Sequence, residues 1–282
     1  MIREQNPTPE ENRPELWRER LPWPTGETHK HERGRLGVVS GKAYQTGAAR
    51  LAARAGLRIG AGIVRVLCPP EAVPVLGPVL EAVMLKPFST PEELEKEAEP
   101  LDAVVIGPAA GLTEATAQNL VALARTGAVL VVDADALTLF EGRADELFAC
   151  LDHDDVLTPH TGEFARLFPD LADRPREEAA AEAARRADAV VLLKGSRSVI
   201  AAPDGRLRVN TNGTPWLATG GSGDVLAGII GGLCAQHMDS FDAACAGAWF
   251  HAEAARAFGP GLIAEDLPDL LPGVMRRLAP EV

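Results

Sequence analysis

A chain of 282 residues with 46% hydrophobic and 24% charged residues is long enough to bury a core without disulfide or metal staples. Its net charge of −12 and the lack of a basic stripe exclude the electrostatic footprint of a nucleic-acid-binding protein, since Arg13, Arg18 and Arg20 are interleaved with glutamates. No stretch is long and apolar enough to span a bilayer as a helix, and the polar, Pro- and Glu-rich start argues against a signal peptide.

Residues 1–33 read as a polar arm that either packs through Trp17 and Trp23 or stays loose, and 34–282 as a single domain. From Gly34 short apolar runs alternate with longer amphipathic ones, the pattern of βα units around a parallel sheet. Strands are expected at 36–40, 63–67, 103–106, 128–133, 155–157, 189–193 and 198–202, rich in Val, Ile and Leu without polar alternation. Helices are expected at 47–59, 176–187, 224–236 and 241–257 from apolar spacing and Ala content. Residues 89–100 read as a surface insertion carrying a short acidic helix, and no repeat or interdomain linker is evident. Cys68, Cys150, Cys234 and Cys245 lack C-x-x-C or zinc spacing and are expected to be reduced, mostly buried thiols of a cytoplasmic protein.

The chemistry gathers where strands end. Leu217 to Gly228 places Gly220, Gly221, Ser222 and Gly223 before an apolar helix, so that several backbone N–H groups and the helix dipole can face an anion. It is not a P-loop, because the G-x-x-x-x-G-K-[ST] order is absent. Asp224, in the first turn, is either a capping carboxylate or a general base. Lys194, followed by Gly195, Ser196, Arg197 and Ser198, leaves a buried strand and either neutralises a phosphate or simply reaches water. In Thr158-Pro159-His160-Thr161-Gly162-Glu163, His160 is a ligand contact or a helix cap. Glu163 holds magnesium through water or closes a capping box. Asp133 and Asp135 end another strand, and at least one is expected to cap the next helix. Ser40-Gly41, Thr46-Gly47-Ala48-Ala49 and the Gly107–Gly111 turn complete the set. In an open parallel sheet, such carboxyl ends share one crevice.

With these segments in order, the chain from about residue 29 onward resembles the ADP-dependent NAD(P)H-hydrate dehydratases; the TPHxGE-type and GGxGDVL-type segments are the specific ones. The resemblance implies an α/β, ribokinase-like fold: a central, mostly parallel sheet with helices on both faces. It implies ADP-dependent dehydration of the S epimer of NADHX or NADPHX, giving NAD(P)H, AMP and phosphate, with ADP or ATP as co-substrate and Mg2+. It implies Asp224 as the base. Ala48, Gly107, Ala109, His160 and Asp224 contact the hydrate. Lys194, Gly195, Ser196, Arg197, Ser198, Gly220, Gly221, Ser222 and Gly223 bind the nucleotide, and Glu163 organises magnesium. It further implies a homo-oligomer and a separate epimerase. The departures are Ala109 in a turn that usually reads G-P-G-x-G, a large Trp216, and Ser222 for a frequent Thr. The alternative is a ribokinase-like kinase for a small alcohol, and a third is a non-catalytic nucleotide sensor. The kinases tend to carry Asn in the place of His160.

Overall fold

The computed structural model describes residues 9–280. Ten strands form one sheet: β1 (Glu10–Glu11), β2 (Arg35–Val39), β3 (Ile63–Cys68), β4 (Met84–Pro87), β5 (Ala103–Ile106), β6 (Val129–Val132), β7 (Val156–Leu157), β8 (Val190–Leu193), β9 (Ser198–Ala201) and β10 (Leu207–Asn210). Their spatial order is β1-β10-β9-β8-β7-β6-β5-β2-β3-β4. All neighbours are parallel except β8–β9 and β9–β10. The chain runs outward from β2 to β4, then returns to β5 on the other side of β2. The β2–β5 boundary is therefore the switch point at which such sheets open a crevice.

The apolar runs explain the layering. Successive strand residues face opposite sides. Leu36, Val38, Ala103, Val105 and Val131 join one core with the helices Gly47–Ile59, Ser222–Ala235, Ser240–Phe258 and Leu267–Arg276. Val39, Val104, Ile106, Leu130 and Val132 join the other core with Pro91–Ala98, Glu114–Leu123 and Arg176–Ala187. Two helices of the first layer approach very closely. A Cβ at Gly228 would lie 2.2 Å from the Ala52 carbonyl oxygen, so this contact needs glycine.

The seven expected strands and four expected helices are present, with ends shifted by at most two residues. Three strands were not legible. β4 is a half-exposed edge, β10 is interrupted by Arg208, and β1 is a pair of exposed glutamates held by its backbone. The short acidic helix expected within 89–100 is present. The Pro91–Ala98 helix buries Leu94 and Ala98 and is the crossover from β4 to β5, with Thr90 Oγ1 accepting from the Glu93 amide at 3.3 Å. Residues 198–202 do not follow a helix, since β8 and β9 form an antiparallel hairpin. Cys68, Cys234 and Cys245 are buried, Cys150 is partly so, and all are free thiols. Among the described residues, no helix is long and apolar enough to cross a membrane.

Trp17 fastens the N-terminal segment. Its ring is 1% exposed, with centroids 5.7 Å from both Trp249 and Phe250. Its Nε1 donates to Asn12 Oδ1 at 3.0 Å, and Asn12 Nδ2 donates to Asn210 Oδ1 (2.8 Å) and the Cys245 carbonyl (2.7 Å). Trp17→Ala is therefore expected to lower the unfolding free energy by about 3–5 kcal/mol, through a cavity and an unpaired amide network. Urea denaturation checks this, and a loss under about 1 kcal/mol would show that the segment is not part of the cooperative core.

Candidate active site

The Gly-rich loop follows the short 3-10 turn Pro215–Leu217 and enters the helix Ser222–Ala235. Gly221, at φ +87°, takes the left-handed conformation that glycine allows. A Cβ there would lie 2.7 Å from Leu51 Cδ1 and 3.0 Å from Ala264 Cβ. The loop is thus wedged beside the helix that carries Ala48. The first N–H groups of such a helix have no intrahelical partner and are free to meet an anion. Gly221 is the residue before the helix and no side chain caps it, so Asp224 is not a cap.

Lys194 leaves the end of β8 and meets Asp133 at the end of β6, with Nζ 2.6 Å from Oδ1. Both lie directly under Gly223, where a Cβ would stand 3.6 Å from Lys194 Nζ and 3.7 Å from Asp133 Oδ2. Glu163 Oε2 is 3.9 Å from the same Nζ. Asp133, Glu163 and Asp224 therefore crowd around a single lysine. Burial, then Asp133, push Asp224 up to about 6, against the pull of Lys194. Burial likewise raises Glu163 above the usual carboxylate range.

His160 and Glu163 fill the capping roles open to them. His160 Nδ1 accepts from the amides of Gly162 (2.9 Å) and Glu163 (3.2 Å), and Glu163 Oε2 accepts from the His160 amide (2.7 Å). With Nδ1 accepting, the ring proton sits on Nε2, 3.3 Å from Glu163 Oε1, and the ring remains half-exposed at the cleft. A backbone bridge pairs His160 with Lys194 and holds the two segments side by side.

The opposite wall is built from β2 and β5. A Cβ at Gly41 would lie 2.0 Å from the Ala109 carbonyl oxygen, and one at Gly107 would lie 1.7 Å from that of Asp133. These turns are therefore in contact, with Ala48 half-buried in the first turn of the adjoining helix. Ala109 adopts φ +54°, so alanine accepts the strain where glycine would have none. Ala134 is strained too, at φ 50° and ψ −118°. It separates two aspartates that were expected to include a helix cap, and neither is one. Asp133 pairs with Lys194, and Asp135 Oδ2 accepts from the Gly111 amide at 2.8 Å.

The hairpin turn Gly195 to Ser198 stands at the rim. Gly195 N donates to Ser198 Oγ at 3.3 Å, while Ser196 and Arg197 are exposed and away from the carboxylates. Ser222 is turned inward, its Oγ 3.1 Å from His251 Nε2, so its hydroxyl faces the core rather than the cleft. Gly220 is open, and Trp216 is 41% exposed beside the loop.

Sequence reasoning missed two residues. Arg176 Nη2 donates to the carbonyls of Leu193 and Lys194, both at 3.0 Å, and Nη1 to Thr161 Oγ1 at 3.3 Å, tying the hairpin to the His160 segment. It was visible only as part of a helix-forming run. His251 is buried, and desolvation holds its ring down to about 4, hence neutral. A histidine among the apolar residues of an Ala-rich helix is its only sign in the sequence.

A magnesium ion at this site would meet oxygen donors, the set that a hard cation prefers. The acidic excess around Lys194 would welcome its charge. Among the described residues, the only acidic group whose ligand atoms converge tightly is the exposed Asp152, His153 and Asp154, outside the cleft. In the cleft, the oxygen donors near Lys194 are Asp133 and Glu163.

The comparisons with known proteins agree with this geometry. The family model described as NAD(P)H-hydrate dehydratase matches residues 36–271. An ADP-dependent (S)-NAD(P)H-hydrate dehydratase of Xanthomonas campestris is 37% identical, over 92% of this chain and 93% of its own. A bifunctional NAD(P)H-hydrate repair enzyme of Methanopyrus kandleri is 38% identical over 93% of this chain, which spans 52% of that relative. The chain thus covers about half the length of the bifunctional relatives it matches. The crystal structure of a Bacillus subtilis ADP/ATP-dependent NAD(P)H-hydrate dehydratase, co-crystallised with ATP/Mg2+, superposes with a TM-score of 0.82. It is 28% identical and covers 96% of this chain and 99% of its own. The sheet is accordingly the ribokinase-like one that the motifs implied. By its sequence and its fold, this chain belongs to the NAD(P)H-hydrate dehydratase family.

Proposed function

We propose that the chain repairs hydrated nicotinamide nucleotides, using ADP or ATP to dehydrate the S epimer of NADHX or NADPHX to NAD(P)H. The observation that carries this is Asp224, a carboxylate held up to about 6 beside the Lys194–Asp133 pair at the mouth of the glycine loop. A carboxylate at an anion site is electrostatically unfavourable unless it accepts a proton there.

The chemistry follows from the leaving group. Hydroxide leaves the ring poorly and phosphate leaves well. Asp224 takes the proton of the ring hydroxyl as its oxygen attacks the terminal phosphorus of ADP, and AMP departs. The ring nitrogen then expels phosphate, and loss of a proton from the neighbouring carbon restores the dihydropyridine. Lys194 and the Gly220–Gly223 amides meet the phosphoryl charge, and the Gly195–Ser198 turn meets the rest of the nucleotide. Ser222 contributes through its backbone. Ala48, Gly107, Ala109 and His160 line the hydrate side. Bound magnesium would neutralise phosphate oxygens, with Glu163 holding it through water. The reading takes 34–282 as the catalytic unit with 1–33 as an arm on it, assembled as a cytoplasmic homo-oligomer beside an epimerase.

Three outcomes are expected. Asp224→Asn should lower kcat by about 10²–10⁴-fold. It should not lower Tm at pH 7–8. The carboxylate's folded value lies above its unfolded one, so its ionised form opposes folding above about pH 6, and that opposition is relieved as pH falls. A Tm drop with proportional activity loss would make the residue structural.

Second, kcat/KM in wild type should fall about tenfold per pH unit below about 6, because the base must be ionised; a flat profile from pH 5 to 7 contradicts this role.

Third, Gly223→Ala should keep or slightly raise Tm, since its Cβ meets only ordinary contacts within a helix. It should raise the KM for ADP about tenfold by filling the approach to the loop amides. An unchanged ADP KM would place the phosphates elsewhere.

A further inference from the structure

Two buried polar side chains lie behind the glycine loop, on the side away from the cleft. Ser222 and His251 are 5% and 6% exposed, and Ser222 Oγ is 3.1 Å from His251 Nε2. His251 stands in the helix Ser240–Phe258 among Phe250, Ala252, Ala254 and Ala255, all of them buried. An imidazole placed there gives up its hydration, a cost that a leucine would not carry. Burial holds the ring neutral, and the charge of Lys194 acts in the same direction. Packing alone does not ask for a histidine at this position.

The same stretch of that helix also holds the segment that leads into the loop. Asn212 Nδ2 donates to the Trp249 carbonyl at 3.2 Å and to Glu253 Oε1 at 3.1 Å, and Asn210 Nδ2 donates to the Ala248 carbonyl at 3.5 Å. Residues 213–221 thus run between two anchors on one helical stretch, 248–253. Ser222 is the exit anchor, one residue before Gly223 and two before Asp224. Gly221, at the helix start, has no side-chain cap to fix the first turn. The bond between Ser222 and His251 is a side-chain contact that fixes it instead.

We infer that His251 is a positioning residue of the anion loop: through Ser222 Oγ it sets the first turn of the helix Ser222–Ala235, and with it the Gly223 amide and the Asp224 carboxylate. The inference rests on the dehydratase reading for the nucleotide that the loop receives. A hydrogen bond has a set length and direction, whereas apolar packing lets a helix slide, so the bond keeps the loop amides where an anion meets them.

The test is a double-mutant cycle on His251→Leu, Ser222→Ala and the pair, with His251→Gln as the variant that keeps a hydrogen-bonding atom at the reach of Nε2. Calorimetric titration with ADP and magnesium, without hydrate, gives the nucleotide affinity, and steady-state kinetics with NADHX give kcat and both KM values. His251→Leu should weaken ADP about tenfold and lower kcat, with the KM of NADHX unchanged. Ser222→Ala should weaken ADP to the same extent, and His251→Gln should recover most of the affinity. The pair removes both partners, so it should keep Tm within about 3 °C of wild type yet bind ADP as weakly as either single variant. Losses that multiply in the pair overturn the inference, since His251 would then act by a route other than Ser222. So does a lower Tm with unchanged ADP affinity, which would make the contact structural only. Wild type that binds ADP without turning over NADHX counts against the dehydratase reading alone, and the titration still decides. Wild type that binds no ADP overturns both.

Discussion

The contact on which the site depends is the ion pair between Lys194 and Asp133, 2.6 Å apart and almost closed to solvent on the aspartate side. It joins the ends of β8 and β6 under the first turn of the helix that carries Asp224. A half-buried charge pair of this kind is poor evidence of stability, because desolvation offsets most of the attraction. Its value here is local. Without the lysine, Asp133, Glu163 and Asp224 would face each other unscreened. With it, Asp224 is still raised yet remains ionised at neutral pH, the state a base needs.

Around this pair the fold supplies walls in fixed register. The β2–β5 switch point brings the Gly41 and Gly107 turns into contact, and the Gly107 backbone presses on Asp133 itself. The glycine contact between Gly228 and Ala52 locks the helix of Asp224 against the helix of Ala48. Arg176 ties the hairpin turn to the start of the His160 helix. Two of the four non-glycine residues with positive φ among the described residues, Ala109 and Ala134, lie in these turns. The Gly41 and Gly107 turns, the Gly195–Ser198 turn and Asp224 are thus carried on different elements that meet through backbone contacts.

How much of this was legible in the sequence depended on how local the signal was. The buried strands were, because Val, Ile and Leu runs such as Val190–Leu193 report burial on both faces. The Gly220–Gly223 loop and Asp224 were, because glycine spacing before a helix has few other uses. β1 was not, since nothing in Glu10-Glu11 says that a strand lies there; its order comes from β10 and the distant Trp17 and Asn12 contacts. The Lys194–Asp133 partnership was not, because two residues far apart in sequence show no spacing rule. For want of that partner, at least one of the aspartates at β6 reads as a helix cap. His251 and Arg176 were hidden for the same reason, as each acts through a loop remote in the chain.

The central claim is that a phosphoryl group from the nucleotide is spent in expelling the ring hydroxyl. Its most direct test is stoichiometry. Purified NADHX is incubated with the protein, magnesium and ADP, and NADH, AMP and phosphate are measured together. The account predicts equal amounts of all three, with none formed when the nucleotide is omitted. A stable phosphorylated product without recovery of NADH would contradict it and point to a kinase of the same fold.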